Sequence, residues 1–154
     1  MENSTMIKKD SSKVTGMLNI VVRDDAGKVK QEFTVPNLVV DSGLAHIAGR
    51  LSGDGVVPTA MSHMSVGTGS TAAAAGDTAL GTEIARVALT SSDATANSVA
   101  YVATFPAGTG TGALTEAGVF NDVSAGTLLC RTVYAVINKG AADSMAVTWT
   151  VTIS

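Results

Sequence analysis

Residues 145–153, MAVTWTVTI, alternate with a strict period of two: Met145, Val147, Trp149, Val151 and Ile153 against Ala146, Thr148, Thr150 and Thr152. That period sends the first set to one face of a sheet and the second to the other. Two strand-like runs precede it closely, ALTEAGVFN at 113–121 and GTLLCRTVYAVINK at 126–139. Three strands in quick succession predict an antiparallel β-structure. Two charges, Glu116 and Arg131, sit inside these otherwise apolar runs. The pattern reads as a scaffold with little room for catalysis.

The rest of the chain supports this reading. Leu18, Ile20 and Val22 alternate with Asn19, Val21 and Arg23, and a return strand carries Val29, Gln31, Phe33 and Val35 on one face. Asp25-Ala26-Gly27-Lys28 supplies the turn between them, with Gly27 available for a positive φ. Pro36 ends the return strand or places it at a sheet edge. One helix is predicted over about 42–52, where Leu44, Ile47, Ala48 and Leu51 recur at i, i+3, i+4 and i+7. Asp41 or Ser42 is its expected N-cap and Gly53 its stop, and its apolar stripe is expected on a sheet, with His46 off the stripe as a solvated residue. Further strands are expected at 62–67, 84–90 and 98–105, and 67–82 reads as a long loop of small residues. The expected fold is mainly β: an antiparallel sandwich or jelly-roll-like domain of about seven or eight strands with one short helix.

At 154 residues the chain fits one domain, here 16–154, preceded by a polar extended arm over 1–15. The arm carries the one basic cluster, Lys8, Lys9 and Lys13, and these are the candidate partner-binding residues. A net charge of −3 provides no basic footprint for nucleic acid. No run of 18 apolar residues is present, so no transmembrane helix is expected, and the N-terminal lysines precede no apolar signal-peptide core. The expectation is a soluble protein synthesised in a cytoplasm. The single cysteine, Cys130, excludes an intrachain disulfide framework and reads as a buried, inert thiol. Only 15% of residues are charged, which leaves two readings: a surface partly covered by a partner, or a neutral domain rich in Ala and Thr.

Catalysis by hydrolysis needs converging carboxylates, or a nucleophile with a histidine. Glu83 and Glu116 are the acids in strand-like apolar contexts, and a glycosidase could use such a pair. Each has an arginine that could neutralise it, since Arg86 is three residues from Glu83 and Arg131 follows on the strand after Glu116. Whether Glu83 pairs with Arg86 or with Arg131 stays open. Paired charges of this kind satisfy each other, so Glu83, Arg86, Glu116 and Arg131 are read as structural ion-pair candidates. No catalytic residue, cofactor or metal site is expected. Gly67-Thr68-Gly69-Ser70 lacks the lysine of a phosphate-binding loop.

Six short motifs occur in order. Asn37-Leu38-Val39 with Gly43-Leu44 fits N-L-V-x-x-x-G-L, and Val66-Gly67-Thr68-Gly69 fits V-G-x-G. Thr78, Leu80, Glu83 and Arg86 fit T-x-L-x-x-E-x-x-R, and residues 116–121 fit E-x-G-[VI]-F-[ND]. Residues 126–131 fit G-T-[LM]-L-x-R, and Lys139 and Trp149 stand where a closing K…W-x-[VI] strand has them. From about residue 16 onward the order resembles a group of bacteriophage virion proteins: head decoration (cement) proteins and the N-terminal, particle-proximal domains of tail-collar and tail-fibre proteins. The resemblance implies a non-enzymatic structural protein whose partner is the major capsid protein, or alternatively the portal or tail proteins. It is expected to form a closed homo-oligomer and to reside in the virion. With no fibre repeats or coiled-coil heptads in the sequence, the decoration protein is the favoured expectation.

Overall fold

The computed structural model describes residues 11–154. Strand β1 (Val14–Arg23) and β2 (Val29–Pro36) form the first hairpin. Asp24 closes its turn by accepting hydrogen bonds from the N–H groups of Ala26 (3.0 Å) and Lys28 (2.9 Å), and Gly27 takes φ 83°. There follow β3 (Leu38–Val39), helix α1 (Asp41–Ser52), β4 (His63–Gly67), β5 (Glu83–Ala88), β6 (Ser91–Thr95) and β7 (Ser98–Phe105). The last three strands are β8 (Gly112–Phe120), β9 (Leu128–Lys139) and β10 (Ser144–Ile153).

These strands form two five-stranded antiparallel sheets, β2-β1-β10-β7-β6 and β3-β9-β8-β4-β5, and the expected sandwich is what the chain builds. The eight expected strands are all present. Two more, β3 and β6, bring the total among the described residues to ten. β3 is two residues long, and the polar β6 has no apolar alternation to announce it. β2, which ends on Pro36, is an edge strand, where the missing proline N–H leaves no ladder bond unmade.

β1 starts earlier than the expected boundary of the arm, so Val14 and Thr15 belong to the sheet. Lys13 and Ser154 extend this pairing by exchanging two main-chain hydrogen bonds, at 2.6 and 2.8 Å. Lys8 and Lys9 lie outside the described residues.

Between the sheets lies one continuous core. Leu18, Ile20 and Val22 from β1 meet Met145, Val147 and Trp149 from β10, and Met64, Val119 and Ile137 face them from the other sheet. Trp149 is fully buried. In β8, Ala117 and Val119 belong to this core, so the alternating Glu116, Gly118 and Phe120 point to the face turned away from the first sheet. That outer face is covered as well. Val40, Leu80, Phe120 and Leu128 make a second, smaller apolar cluster beneath the 68–82 loop. Strands β8 and β9 are therefore buried on both faces across Glu116–Phe120 and Leu128–Thr132.

Helix α1 departs from its expected packing. Leu44 and Leu51 are exposed, at 44% and 83%, while Gly43 and His46 are buried. The cause is Gly43: a Cβ there would stand 2.1 Å from the Leu129 carbonyl oxygen. Backbone-to-backbone contact sets the rotation of the helix, and it turns His46 inward rather than into solvent. Neither Asp41 nor Ser42 caps the helix. Val40 occupies the N-cap position without a side-chain hydrogen bond, and the Ser42 hydroxyl donates instead to the Leu128 carbonyl at 2.8 Å. Gly53 ends it in the left-handed region, φ 60°, as expected. No helix of the described residues is long and apolar enough to cross a membrane.

Candidate functional site

Glu116 sits in the middle of β8 with its side chain fully buried. Five hydrogen bonds converge on its carboxylate. Oε1 accepts from the N–H groups of Gly69 (2.9 Å) and Thr82 (2.7 Å). Oε2 accepts from the Gly81 N–H (2.8 Å) and from Arg131 Nε (3.1 Å) and Nη2 (2.8 Å). Arg131, across the β8–β9 ladder, spends its other donors on Asp77 Oδ2 (2.7 Å) and the Thr71 carbonyl (2.9 Å). Thr115 adds a hydrogen bond from its hydroxyl to the Gly69 carbonyl at 2.7 Å. Both ends of the 68–82 loop are thus tied to one buried ion pair.

The glycines follow from this arrangement. A Cβ on Gly69 would lie 2.5 Å from Glu116 Oε1, and one on Gly67 would meet both that oxygen and the Thr82 carbonyl. The Gly69 N–H of the Val66-Gly67-Thr68-Gly69 run, together with those of Gly81 and Thr82 at the far end of the loop, does bind an anion, as backbone N–H groups of glycine-rich loops do. The anion is the protein's own carboxylate.

Electrostatics agree with the geometry. Burial alone would raise the Glu116 carboxyl, but hydrogen bonds from Thr82, Arg131, Gly81 and Gly69 outweigh it and hold the pKa below the ordinary value. Burial would likewise lower Arg131, yet Glu116 and Asp77 hold it above its usual range. The Ala74 N–H, followed by Arg131, keeps Asp77 low against its partial burial. Lys30, then the Gly140 N–H, does the same for Asp143.

Carboxyls depressed in the folded state bind protons more weakly than in the unfolded chain. Their stabilisation is present above the unfolded carboxylate range, about pH 4, and is lost as pH falls through the lower folded values. The expected result is a melting temperature that declines gently from neutral pH to about pH 5, as the unfolded chain takes up a proton on the His46 imidazole that burial and Arg50 keep neutral in the fold, and that falls steeply below about pH 4. Near-ultraviolet circular dichroism of Trp149 would follow it; a melting temperature unchanged at pH 3 would contradict the anchoring role of these carboxylates.

The second expected pair also forms, and Glu83 pairs with Arg86 rather than with Arg131. Arg86 donates Nη2 to Glu83 Oε1 (2.7 Å) and Nε to Oε2 (2.9 Å), a bidentate contact. Residues three apart on a strand normally face opposite ways. An irregularity between Val66 and Gly67 in the β4–β5 register, where Ile84 is left unpaired, puts both on one side. Arg86 also lies over the Phe120 ring, 3.7 Å from its centroid, and donates to the carbonyls of Asp122 and Ala125. It thereby holds the 121–126 turn.

Both acids considered as a hydrolytic pair are engaged: Glu116 is enclosed by Arg131 and three main-chain N–H groups, and the partly exposed Glu83 is held in a bidentate contact by Arg86. Cys130 is fully buried, and burial pushes its thiol far up. Lys139 ends β9 with its amine buried, donating to the carbonyls of Pro106 (3.0 Å) and Asp143 (2.7 Å). It joins two loops at one end of the sandwich.

Sequence reasoning missed one feature, a cleft of about 390 Å³ between α1 and the end of the first sheet. His46, Arg50, Ser92, Asn97 and Tyr101 supply its polar lining. His46 is 6% exposed, and burial followed by the nearby Arg50 charge lowers its pKa, so it is neutral at pH 7. Burial pushes the Tyr101 hydroxyl up to about 12. Among the described residues no group of three or more His, Cys, Asp and Glu could hold a metal ion.

Comparison with known proteins finds no matching family model, curated protein or solved structure.

Proposed function

We propose that this protein is a non-enzymatic structural protein of a bacteriophage particle, a capsid decoration (cement) protein that binds the outer surface of the major capsid protein shell. The observation that carries the proposal is how the ordered motifs are used. The V-G-x-G run, the glutamate of E-x-G-V-F-N and the arginine of G-T-L-L-x-R meet in one closed charge cluster that fixes a surface loop. The arginine and glutamate of T-x-L-x-x-E-x-x-R fix the neighbouring turn. Motifs spent on shaping a rigid surface suit a protein whose task is to fit another surface.

A cement protein acts by mass action. Preferring the assembled shell, it stabilises each site by about 2.7 kcal/mol at 100 times its dissociation constant. Exposed apolar residues such as Val56 (95%), Val123 (67%) and Val136 (50%), with the edge strands β2, β6, β3 and β5, supply contact surface. The basic residues of the N-terminal segment, with Lys13 at its described end, would extend that surface onto a neighbour. Self-association about a symmetry axis of the shell fits the same role.

The deciding measurement is copy number per particle, by mass spectrometry against the major capsid protein. A ratio of one per capsid subunit, or a simple fraction of it, is the expected result. A few to a few tens of copies would instead make the protein a tail or collar adaptor, and its absence from purified particles would refute a virion role.

A further inference from the structure

Helix α1 runs out into an exposed loop in which Gly53 and Gly55 flank Asp54, with φ 60° and 70°. Residues 52–57 are all exposed, and a Cβ built on either glycine would meet no atom within 4 Å. We propose that the Asp54-Gly55 step is a site of spontaneous covalent modification, at which Asp54 is converted to isoaspartate through a succinimide ring.

The reaction needs water alone. The Gly55 main-chain nitrogen attacks Asp54 Cγ, and its proton leaves as water with the hydroxyl of the protonated carboxyl group. The ring then takes up one water. Opening at the side-chain carbonyl restores aspartate. Opening at the main-chain carbonyl breaks the original peptide bond, frees an α-carboxylate and carries the chain on through Cγ, one carbon longer. Nothing is oxidised or reduced.

Three observations select this aspartate. Gly55 has no side chain to shield its nitrogen, and its N–H donates no hydrogen bond among the described residues. The Asp54 carboxylate has no hydrogen-bond or ion-pair partner among them either; only its main-chain N–H is engaged, by Ser52 Oγ at 3.3 Å. Ring closure also requires rotation about the Asp54 Cα–C bond, which a helix or a ladder forbids and flanking glycines permit. The other described aspartates each lack one of these conditions. Asp41 lies in α1 and Asp93 in the β6 ladder. Asp77 is held by Arg131 and the Ala74 N–H, and Asp143 by Lys30 and the Gly140 N–H. Asp24 accepts from Ala26 and Lys28, which also occupies the N–H that Asp25 would need. Asp122 precedes Val123, whose branched side chain crowds its own nitrogen.

The product changes the surface between Leu51 (83% exposed) and Val56 (95%) and leaves the core untouched. The inference does not depend on a virion role.

The test ages the full chain in water enriched in oxygen-18, beside Asp54→Glu, whose longer side chain cannot close the same ring. Either ring opening fixes one heavy oxygen in the residue, so peptide mass mapping with electron-transfer fragmentation reads both position and extent. Folded wild-type protein is expected to carry the label at Asp54, with isoaspartate accumulating there, and the variant to lose it. A parallel incubation in urea separates structure from sequence. Unfolding should speed labelling at Asp41 and Asp143, both followed by serine, and leave the rate at Asp54 nearly unchanged, because the folded loop already permits ring closure. Label at Asp54 no higher than at Asp41 or Asp143 in the folded protein would overturn the proposal. So would a rate at Asp54 that rises on unfolding as much as theirs.

Discussion

Replacing Glu116 by glutamine is expected to lower the free energy of unfolding by about 3–5 kcal/mol, the range found when one partner of a buried ion pair is removed. The shape of the side chain hardly changes, so the reason is chemical. All five hydrogen bonds at the carboxylate are donated to it, by Gly69, Gly81, Thr82 and twice by Arg131. An amide has one accepting oxygen, and its NH₂ end must face donors whichever way it is turned. Arg131 keeps Asp77 as its one ionic partner, at 2.7 Å. Urea unfolding measures the loss, and hydrogen exchange at the Gly69, Gly81 and Thr82 amides reports release of the loop before global unfolding. Replacing both Glu116 and Arg131 by apolar residues should not restore stability, since three loop N–H groups would lose their acceptor. A Glu116→Gln protein within about 1 kcal/mol of the parent would refute the anchoring role.

The second large effect is expected at Gly43. In an exposed helix interior, alanine is favoured over glycine by about 1 kcal/mol. Here the added carbon would stand 2.1 Å from the Leu129 carbonyl oxygen and 2.8 Å from its carbon, both main-chain atoms of a buried strand. Neither the strand nor its carbonyl can move aside cheaply, so the helix must shift outward. Gly43→Ala should therefore destabilise by about 2–3 kcal/mol despite the better helix former, in line with overpacking elsewhere. It should also loosen His46 and Ile47, which thermal melts together with exchange at the α1 amides would register. A more stable Gly43→Ala protein would mean that the helix does not rest on Leu129.

These two residues mark where sequence reasoning reached and where it stopped. Period-two alternation located β1, β2 and β10, and the strand-like runs at 62–67, 84–90, 98–105, 113–121 and 126–139 located the other strands apart from β3 and β6. β6, Ser-Ser-Asp-Ala-Thr, carries no such signal because it is an edge strand held by its ladder to β7. The helix was legible by its ends and length, but its buried side was not. The visible stripe ran through Leu44 and Leu51, whereas the contact that orients the helix belongs to a glycine, which carries no hydropathy. For the charge cluster, Glu116 and Arg131 stood out as charges in apolar runs. Asp77 and the three donor N–H groups did not, because main-chain donors leave no mark on side-chain pattern. The spacing of Gly67, Gly69 and Gly81 was the available trace of them, readable as backbone brought close to something bulky.

The order in which the strands are used has a consequence for biosynthesis. β1 and β10 are neighbours in the interior of one sheet, in register from Val14 opposite Ile153 to Arg23 opposite Ser144. Until β10 has emerged from the ribosome, the β1–β2 hairpin and the β6–β7 hairpin have nothing to join them. The half of the core that surrounds Trp149 then lacks its central strand. Acquisition of the native state therefore waits for translation to pass Ile153, and joining strands from opposite ends of the sequence places folding in the slow, millisecond-to-second regime of β-sandwiches. Through that interval two unjoined hairpins are exposed to other nascent copies, and the polar edge strand β6 leaves one of them poorly suited to aberrant pairing.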